Sequence, residues 1–139
     1  ERIVDRVREI FNIYNLRGTH VTILGTAYKA NTPNIEESPS LHLKNALERA
    51  KVSVRLHDPN YVFSELALSG SLIDSDLAII TLPEREYEEV DANMFRAYMR
   101  EPNVLDCIRL RRDLSLNPNI KYHALGVNER WLSARAEIY

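Results

Sequence analysis

A chain of 139 residues with 45% hydrophobic content is long enough for one globular domain with a buried core. Its formal net charge of −2 argues against a general nucleic-acid binder, which needs a basic face to gain free energy from released counterions. No apolar run has the length of a membrane span, so we expect no membrane partner. The single cysteine, Cys107, excludes an internal disulfide and suits a cytoplasmic protein.

The chain opens with an amphipathic pattern. Apolar residues recur there at helical spacing, which predicts a helix over residues 2–16. The residues of this stripe are Ile3, Val7, Ile10 and Tyr14. The stripe needs a partner surface, and two remain open: the protein's own sheet, which we favour, or a neighbouring region outside this chain.

Short apolar runs then alternate with helical stretches, a rhythm typical of a parallel sheet. The runs lie at 20–25, 52–57, 77–81, 103–106 and 120–124. The third run is too continuously apolar for a sheet with one face in water, so we predict helices on both faces. Helices are predicted after the first run, near 61–69, at 86–99 and after Gly126, with a turn or short helix at 110–115. The pattern alone predicts a doubly wound α/β domain.

The first apolar run ends in features suited to an anion. Gly25 lets the backbone turn sharply beside a ligand. Tyr28 and Lys29 follow, and they offer a hydroxyl donor and a point charge to phosphate. Ser38 and Pro39 are typical of the cap and first position of a helix, whose free amides and positive dipole end then face the same loop.

This segment resembles the C-terminal, UDP-binding domain of the UDP-glucose/GDP-mannose dehydrogenase family, where a strand ending in Leu-Gly precedes an aromatic-Lys pair and then Ser-Pro. Further matches follow in order along the chain, at 52–59, 74–81, 104–106 and 122–126. The resemblance implies a three-layer Rossmann-like domain over residues 19–139, with a five-stranded parallel sheet in the order 3-2-1-4-5. It also implies that residues 1–18 are the helix entering from a central domain, and the start at Glu1 rather than methionine leads us to expect a longer protein.

The resemblance implies a function as well. The family's enzymes oxidise the 6-hydroxyl of a nucleotide sugar to a carboxylate with NAD, in the synthesis of surface polysaccharide. We therefore expect a UDP-sugar partner, with a GDP-sugar as second choice, and a parent that is a homodimer or larger. The family's thiol nucleophile stands in a Gly-x-Cys-x-x-Lys-Asp segment, which is absent here, so this chain alone should be inactive.

Four residues are predicted to bind substrate: Tyr28, Lys29, Ser38 and Arg109. In the implied order they meet where Gly25 faces the end of the fourth strand. NAD bound by this domain alone is disfavoured, because the glycine-rich dinucleotide fingerprint is missing. Asp58 is interpreted as a strand-to-turn stop, and Cys107 as a buried structural cysteine.

Two departures from the family's pattern raise an alternative. Glu36 replaces an arginine that faces the NAD cofactor in the resembled enzymes, and a carboxylate there repels pyrophosphate. Arg109 stands one residue late, so Arg111 or Arg112 could take its place. A second hypothesis is therefore a degenerate, non-catalytic binding or regulatory module. A third, an unrelated Rossmann-like binder of small molecules, requires the ordered matches to be coincidence.

The histidines and one acidic run carry no clear sign of a binding site. The four histidines form no metal-ligand pattern, and each is predicted to lie at the surface or at a strand edge. They are His20, His42, His57 and His123. The acidic run from Glu84 to Asp91 is predicted to be a solvated helix start.

Overall fold

The computed structural model of the chain describes residues 2–26, 38–60 and 67–125. Within these ranges, five strands form one parallel sheet. They are β1 (His20–Leu24), β2 (Ser53–His57), β3 (Leu77–Ile80), β4 (Asn103–Asp106) and β5 (Lys121–Ala124). Each strand falls inside the apolar run that predicts it, so the parallel α/β prediction is confirmed.

The described helices cover both faces of the sheet. They are α1 (Arg2–Phe11), α2 (Pro39–Arg49), α3 (Leu68–Leu72), α4 (Arg85–Glu89), α5 (Ala92–Tyr98) and a 3-10 helix (Arg112–Leu116). The predicted last helix after Gly126 and most of the predicted helix at 61–69 lie outside the described residues. No helix in the described ranges has both the length and the apolar character needed to cross a membrane.

The strand order is β2-β1-β3-β4-β5, so the expected order 3-2-1-4-5 is wrong. The physical reason is burial. All four residues of β3 are buried, which requires a strand on each side and a helix layer on each face. β2, in contrast, alternates polar and apolar residues and begins exposed, as befits an edge. The order implied by the resemblance would have put the most apolar strand at the edge.

Two hydrophobic clusters lie on opposite faces of the sheet. One joins α1 and α2 to β1 and β3 through residues such as Val7, Leu43, Ile23 and Ile79. The other joins α3, α4 and α5 to β3 and β4. Alternate residues of β3 serve the two clusters, since Leu77 and Ile79 belong to the first and Ala78 and Ile80 to the second. β3 is thus the shared centre of the domain.

The first helix is shorter than predicted. α1 ends at Phe11, because Asn12 adopts a left-handed conformation with φ of 54°. Ile3, Val4 and Val7 are buried in the cluster that contains β1, which confirms packing on the protein's own sheet for this part of the stripe. Tyr14 is 82% exposed and lies outside the helix, so its place on the buried stripe was wrong. The role of residues 1–18 as an entering helix stays a prediction.

The predicted helix at 86–99 is two helices. α4 ends before Val90, and Asp91 caps α5 by accepting a hydrogen bond from the Asn93 amide at 2.8 Å. A cap in the middle of an apparently continuous pattern thus marks the start of a second helix.

β1 ends against β3 at Gly25, which has φ of +104°. A Cβ at this position would lie 2.7 Å from Thr81 Oγ1 and 3.0 Å from Leu82 Cβ. Both the backbone conformation and the close approach of β3 therefore require glycine.

We predict that Gly25→Ala lowers the free energy of unfolding by about 2–4 kcal/mol, since it adds steric overlap to backbone strain. Gly18→Ala is the matched control. Gly18 also has positive φ, at +86°, but nothing lies within 4 Å of an added Cβ, so strain alone should cost about 1 kcal/mol. Chemical denaturation of both variants measures the difference. Equal losses would show that the close packing of β1 on β3 is unimportant.

Candidate functional site

The carboxyl ends of the strands lie level with one another. In the register, Leu24 pairs with His57 on one side and with Ile80 on the other, and Ile80 pairs with Asp106. The chain leaves β1 toward β2 and leaves β3 toward β4, in opposite directions across the sheet. The point of reversal, where open parallel sheets bind ligands, therefore lies between β1 and β3. The expected meeting of Gly25 with β4 is wrong, because β3 intervenes.

Gly25 is the junction of three elements at this point. Its carbonyl oxygen accepts hydrogen bonds from the Thr81 hydroxyl at 2.6 Å and from the Ser40 hydroxyl at 2.7 Å. Its amide donates to the His57 carbonyl oxygen at 2.8 Å. These bonds tie the end of β1 to β3, to α2 and to β2. The chain therefore leaves the end of β1 from a fixed backbone position.

Asp58 holds the next residue in the same way. One carboxylate oxygen accepts from the Thr26 amide at 2.9 Å, and the other accepts from the Asn60 amide at 2.8 Å. The second bond is the turn expected of an aspartate after a strand, so that interpretation is confirmed. The first bond was not foreseen, because it joins residues far apart in sequence.

Ser38 and Pro39 begin α2 as predicted. Ser38 has extended backbone and accepts from the Ser40 amide at 3.1 Å, and Pro39 is the first helical residue. The helix start is tied to Gly25 through the Ser40 hydroxyl, so its positive dipole end faces the start of the loop. Ser38 is fully buried and acts here as a cap. Its role as a substrate residue stays a prediction, and Tyr28, Lys29 and Glu36 lie outside the described residues.

Arg109 occupies a loop organised by Asp106. The buried Asp106 carboxylate accepts from the amides of Leu110 and Arg111 and from the Tyr122 hydroxyl, at 3.0, 2.7 and 2.9 Å. Arg109 itself has φ of 57° and donates from its guanidinium to the Leu125 carbonyl oxygen at 2.5 Å. This contact lies beyond β5, three strands from β1. The assignment of Arg109 to substrate stays a prediction.

The suggested substitute Arg111 is not available for substrate. Its side chain is 8% exposed, pairs with Asp113 and donates to the backbone oxygens of Tyr87 and Val90 at 3.1 and 2.7 Å. It joins the loop after β4 to the end of α4 and is therefore structural. Arg112 is exposed.

A polar cluster missed by the sequence reading lies at the end of β2. His57 is 9% exposed and is the last residue of the edge strand β2, so of the two expected places, surface or strand edge, it has the strand edge. Its Nδ1 lies 2.9 Å from the Tyr87 hydroxyl, and its Nε2 lies 3.2 Å from a Glu86 carboxylate oxygen. Burial lowers the pKa of His57, against the opposing charges of Glu86 and Asp58. A signal for this cluster was available in the sequence. The carboxyl ends of parallel strands meet at one edge of a sheet, so His57 at the end of β2 could be expected near α4, which follows the end of β3.

The acidic run beside this cluster is only partly solvated. Glu84 is 3% exposed and accepts a hydrogen bond from the Asn60 side-chain amide, so the prediction of a fully solvated helix start was wrong for this residue. Glu88 and Glu89 are exposed, as predicted. Among the described residues, no group of three histidine, cysteine or carboxylate side chains is placed to hold a metal ion.

Another concave region lies away from the Gly25 junction. A cavity of about 550 Å³ opens between α3, α4 and α5. Leu68, Val90 and Met94 supply its apolar lining, and Arg85, Glu86 and Glu89 its charges. Its three charged groups include two carboxylates, which suits a phosphate poorly.

The comparisons with known proteins agree with this architecture. The model of the UDP-glucose/GDP-mannose dehydrogenase family, UDP binding domain, matches residues 22–112. The fold and the switch-point geometry define a doubly wound nucleotide-binding type of domain. Since the match spans more than half of the chain, the chain belongs to this family of UDP binding domains.

Individual relatives have low sequence identity to the chain, and their names agree with the family match. The chain is 23% identical to the UDP-glucose 6-dehydrogenase of Rhizobium meliloti, over 81% of this chain and 28% of that protein. It is 28% identical to the UDP-N-acetyl-D-mannosamine dehydrogenase of Methanococcus vannielii, over 61% of this chain and 22% of that protein. The chain thus spans less than a third of the length of these relatives.

Solved structures share the fold. The chain superposes with a TM-score of 0.75 on an NDP-N-acetyl-D-galactosaminuronic acid dehydrogenase from Methanosarcina mazei, at 17% identity over 88% of this chain and 27% of that one. For the UDP-N-acetyl-mannosamine dehydrogenase of Staphylococcus aureus the TM-score is 0.71, at 21% identity over 88% and 29% of the two chains.

The His57 environment predicts a pH dependence of stability. Because the folded-state pKa is lowered, the unfolded chain binds a proton below pH 6.5 that the folded chain does not. The free energy of unfolding should therefore fall as the pH drops from about 6.5 through the folded-state pKa, by about 1.4 kcal/mol per unit of pKa difference. Denaturation of the chain and of His57→Asn between pH 5 and pH 8 measures this. His123, whose pKa burial also lowers, should leave a smaller slope in the variant. An unchanged slope would contradict the assignment.

Cys107 should be chemically inert in the folded protein. The residue is 5% exposed, and burial raises the pKa of its thiol, which confirms the structural interpretation. A thiol-reactive reagent should therefore modify it more than about 100-fold faster in denaturant than in native buffer, since the thiolate must be both formed and reached. Rapid modification of the native chain would contradict this environment.

Proposed function

We propose that this chain binds the nucleotide part of a UDP-sugar, as one domain of a longer NAD-dependent UDP-sugar 6-dehydrogenase. That enzyme would oxidise the sugar 6-hydroxyl to a carboxylate, for polysaccharide synthesis in the cytoplasm. The observation that carries the proposal is the Gly25 junction at the β1/β3 switch point, in a chain that belongs to the family of UDP binding domains. A GDP-sugar is the second choice.

The residues at the junction suit a diphosphate. The start of α2 offers its positive dipole end, and the carbonyl oxygen of Gly25, which would repel a phosphate, is occupied by two hydroxyl donors. Lys29 would supply the charge and Tyr28 a hydroxyl donor from the loop that starts there. Arg109 would join them only if its guanidinium left the Leu125 carbonyl.

This chain does not fit NAD by itself. The carboxylate of Asp58, where a ribose-binding acid stands in dinucleotide folds, already accepts from two backbone amides. The glycine-rich fingerprint is missing, and Cys107 is buried. NAD and the catalytic thiol would therefore come from another part of the longer parent. UDP binding by this chain would require neither of them. The chain alone would bind UDP and not turn over substrate.

A degenerate binding module is the second candidate. Glu36 reverses the charge of the family's cofactor-facing arginine, and the Arg109 guanidinium contacts Leu125 beyond β5. Both observations favour loss of cofactor engagement while the fold is kept. The two candidates differ in the parent, because only the enzyme needs a dinucleotide fingerprint and a Gly-x-Cys-x-x-Lys-Asp segment.

Lys29→Ala tests the proposed site. The substitution removes the lysine ammonium that would contact the diphosphate of UDP. It should weaken UDP binding about 10-fold or more, because a charge-assisted hydrogen bond contributes about 1.5–3 kcal/mol. Calorimetric titration with UDP at low and moderate salt measures this, and salt should weaken binding to the unmodified chain more than to the variant. Lys51→Ala serves as the control, because it removes an exposed lysine just before β2, at the amino-terminal ends of the strands. Equal UDP affinity of Lys29→Ala and the unmodified chain would overturn the site.

A further inference from the structure

The Tyr87 hydroxyl makes two polar contacts with one residue of β2. It donates to the His57 carbonyl oxygen at 2.9 Å and lies 2.9 Å from the Nδ1 of the same residue. The two rings meet edge to face, with centroids 5.6 Å apart. A hydroxyl carries one hydrogen, so the Tyr87 hydroxyl can donate to only one of these two partners at a time.

The same carbonyl holds the Gly25 junction. The His57 oxygen accepts from the Gly25 amide at 2.8 Å, and the next residue, Asp58, accepts from the Thr26 amide at 2.9 Å. Two successive amides at the end of β1 thus depend on where the end of β2 lies. The Tyr87 hydroxyl connects that strand end to α4.

Packing alone does not explain a tyrosine here. Tyr87 is fully buried in the cluster that contains Phe95 and Leu72, where a phenylalanine ring would occupy the same apolar space. Burying a hydroxyl costs free energy unless it is hydrogen-bonded. The hydroxyl therefore acts on the partner it touches, which is the end of β2.

We infer that Tyr87 and His57 are positioning residues that fix the Gly25–Thr26 backbone and so set the affinity of the β1/β3 switch point for a nucleoside diphosphate. The inference rests on the proposed function. Neither side chain needs to touch the ligand. Their effect passes through the end of β2 to the backbone amides of Gly25 and Thr26.

The test uses the 139-residue chain with Tyr87→Phe, which removes only the hydroxyl, and with the pair His57→Leu and His57→Asn. Asparagine keeps a polar group that can donate or accept near the position of Nδ1, whereas leucine removes it. Two readouts are UDP affinity by calorimetry and amide hydrogen exchange at Gly25 and Thr26. Thr22→Val is the matched control, because it removes a buried hydroxyl from the same strand, where Thr22 donates to the Ser71 carbonyl oxygen at 2.7 Å.

Tyr87→Phe and His57→Leu should weaken UDP binding roughly 3-fold to 10-fold, the range expected for one lost hydrogen bond, and should speed exchange at both amides. His57→Asn should restore affinity to within about twofold of the unmodified chain, and Thr22→Val should leave it unchanged. Unchanged affinity and exchange in Tyr87→Phe would overturn the inference, as would equal loss of affinity in Thr22→Val. If the unmodified chain fails to bind UDP, the proposed function falls, while exchange at Gly25 and Thr26 still decides the positioning role.

Discussion

The close contact of Gly25 with β3 is the constraint on which the rest of the site depends. A side chain at this position would collide with Thr81, so only glycine lets the end of β1 lie against β3. That contact allows the Thr81 and Ser40 hydroxyls to reach the Gly25 carbonyl oxygen, and the helix α2 begins beside it as a result. The edge strand β2 then closes the other side through its hydrogen bond with the Gly25 amide. One small residue thereby fixes the backbone at the carboxyl end of β1.

The structure divides its polar groups between two tasks at the carboxyl edge. Around β1 and β2, carbonyl and carboxylate groups bind the backbone amides of Gly25 and Thr26. Around β4, Asp106 binds the amides of the loop that carries Arg109. In both arrangements, backbone amides that follow a strand donate to buried oxygen atoms. The hydrogen bonds lower the free-energy cost of burying those oxygens and fix the backbone after the strand.

Much of the fold was predictable, because its strands and caps are local features. The five apolar runs, Ser38 as a cap and Pro39 at the helix start all depend on neighbouring residues. The strand order failed because it was taken from resemblance. The sequence itself contained the correct signal, since the unbroken apolar run of β3 requires a central position and the alternation in β2 suits an edge. Hydrophobic pattern, where it is this clear, outweighs an analogy of topology.

The site was less predictable, because its contacts join distant parts of the chain. His57 and Tyr87 are 30 residues apart, and neither belongs to a local motif. Likewise, no residue near Arg109 in the sequence predicts its contact with Leu125. The break between α4 and α5 was visible in principle as a capping aspartate, yet the continuous apolar pattern concealed it.

Amide chemical-shift mapping during a UDP titration tests most directly whether UDP binds at the β1/β3 switch point. Binding there should give the largest shifts in the described part of the chain at Gly25, Thr26 and Ser40, where β1 ends and α2 begins. Shifts confined to the cavity between α3, α4 and α5, or no shifts at all, would contradict it.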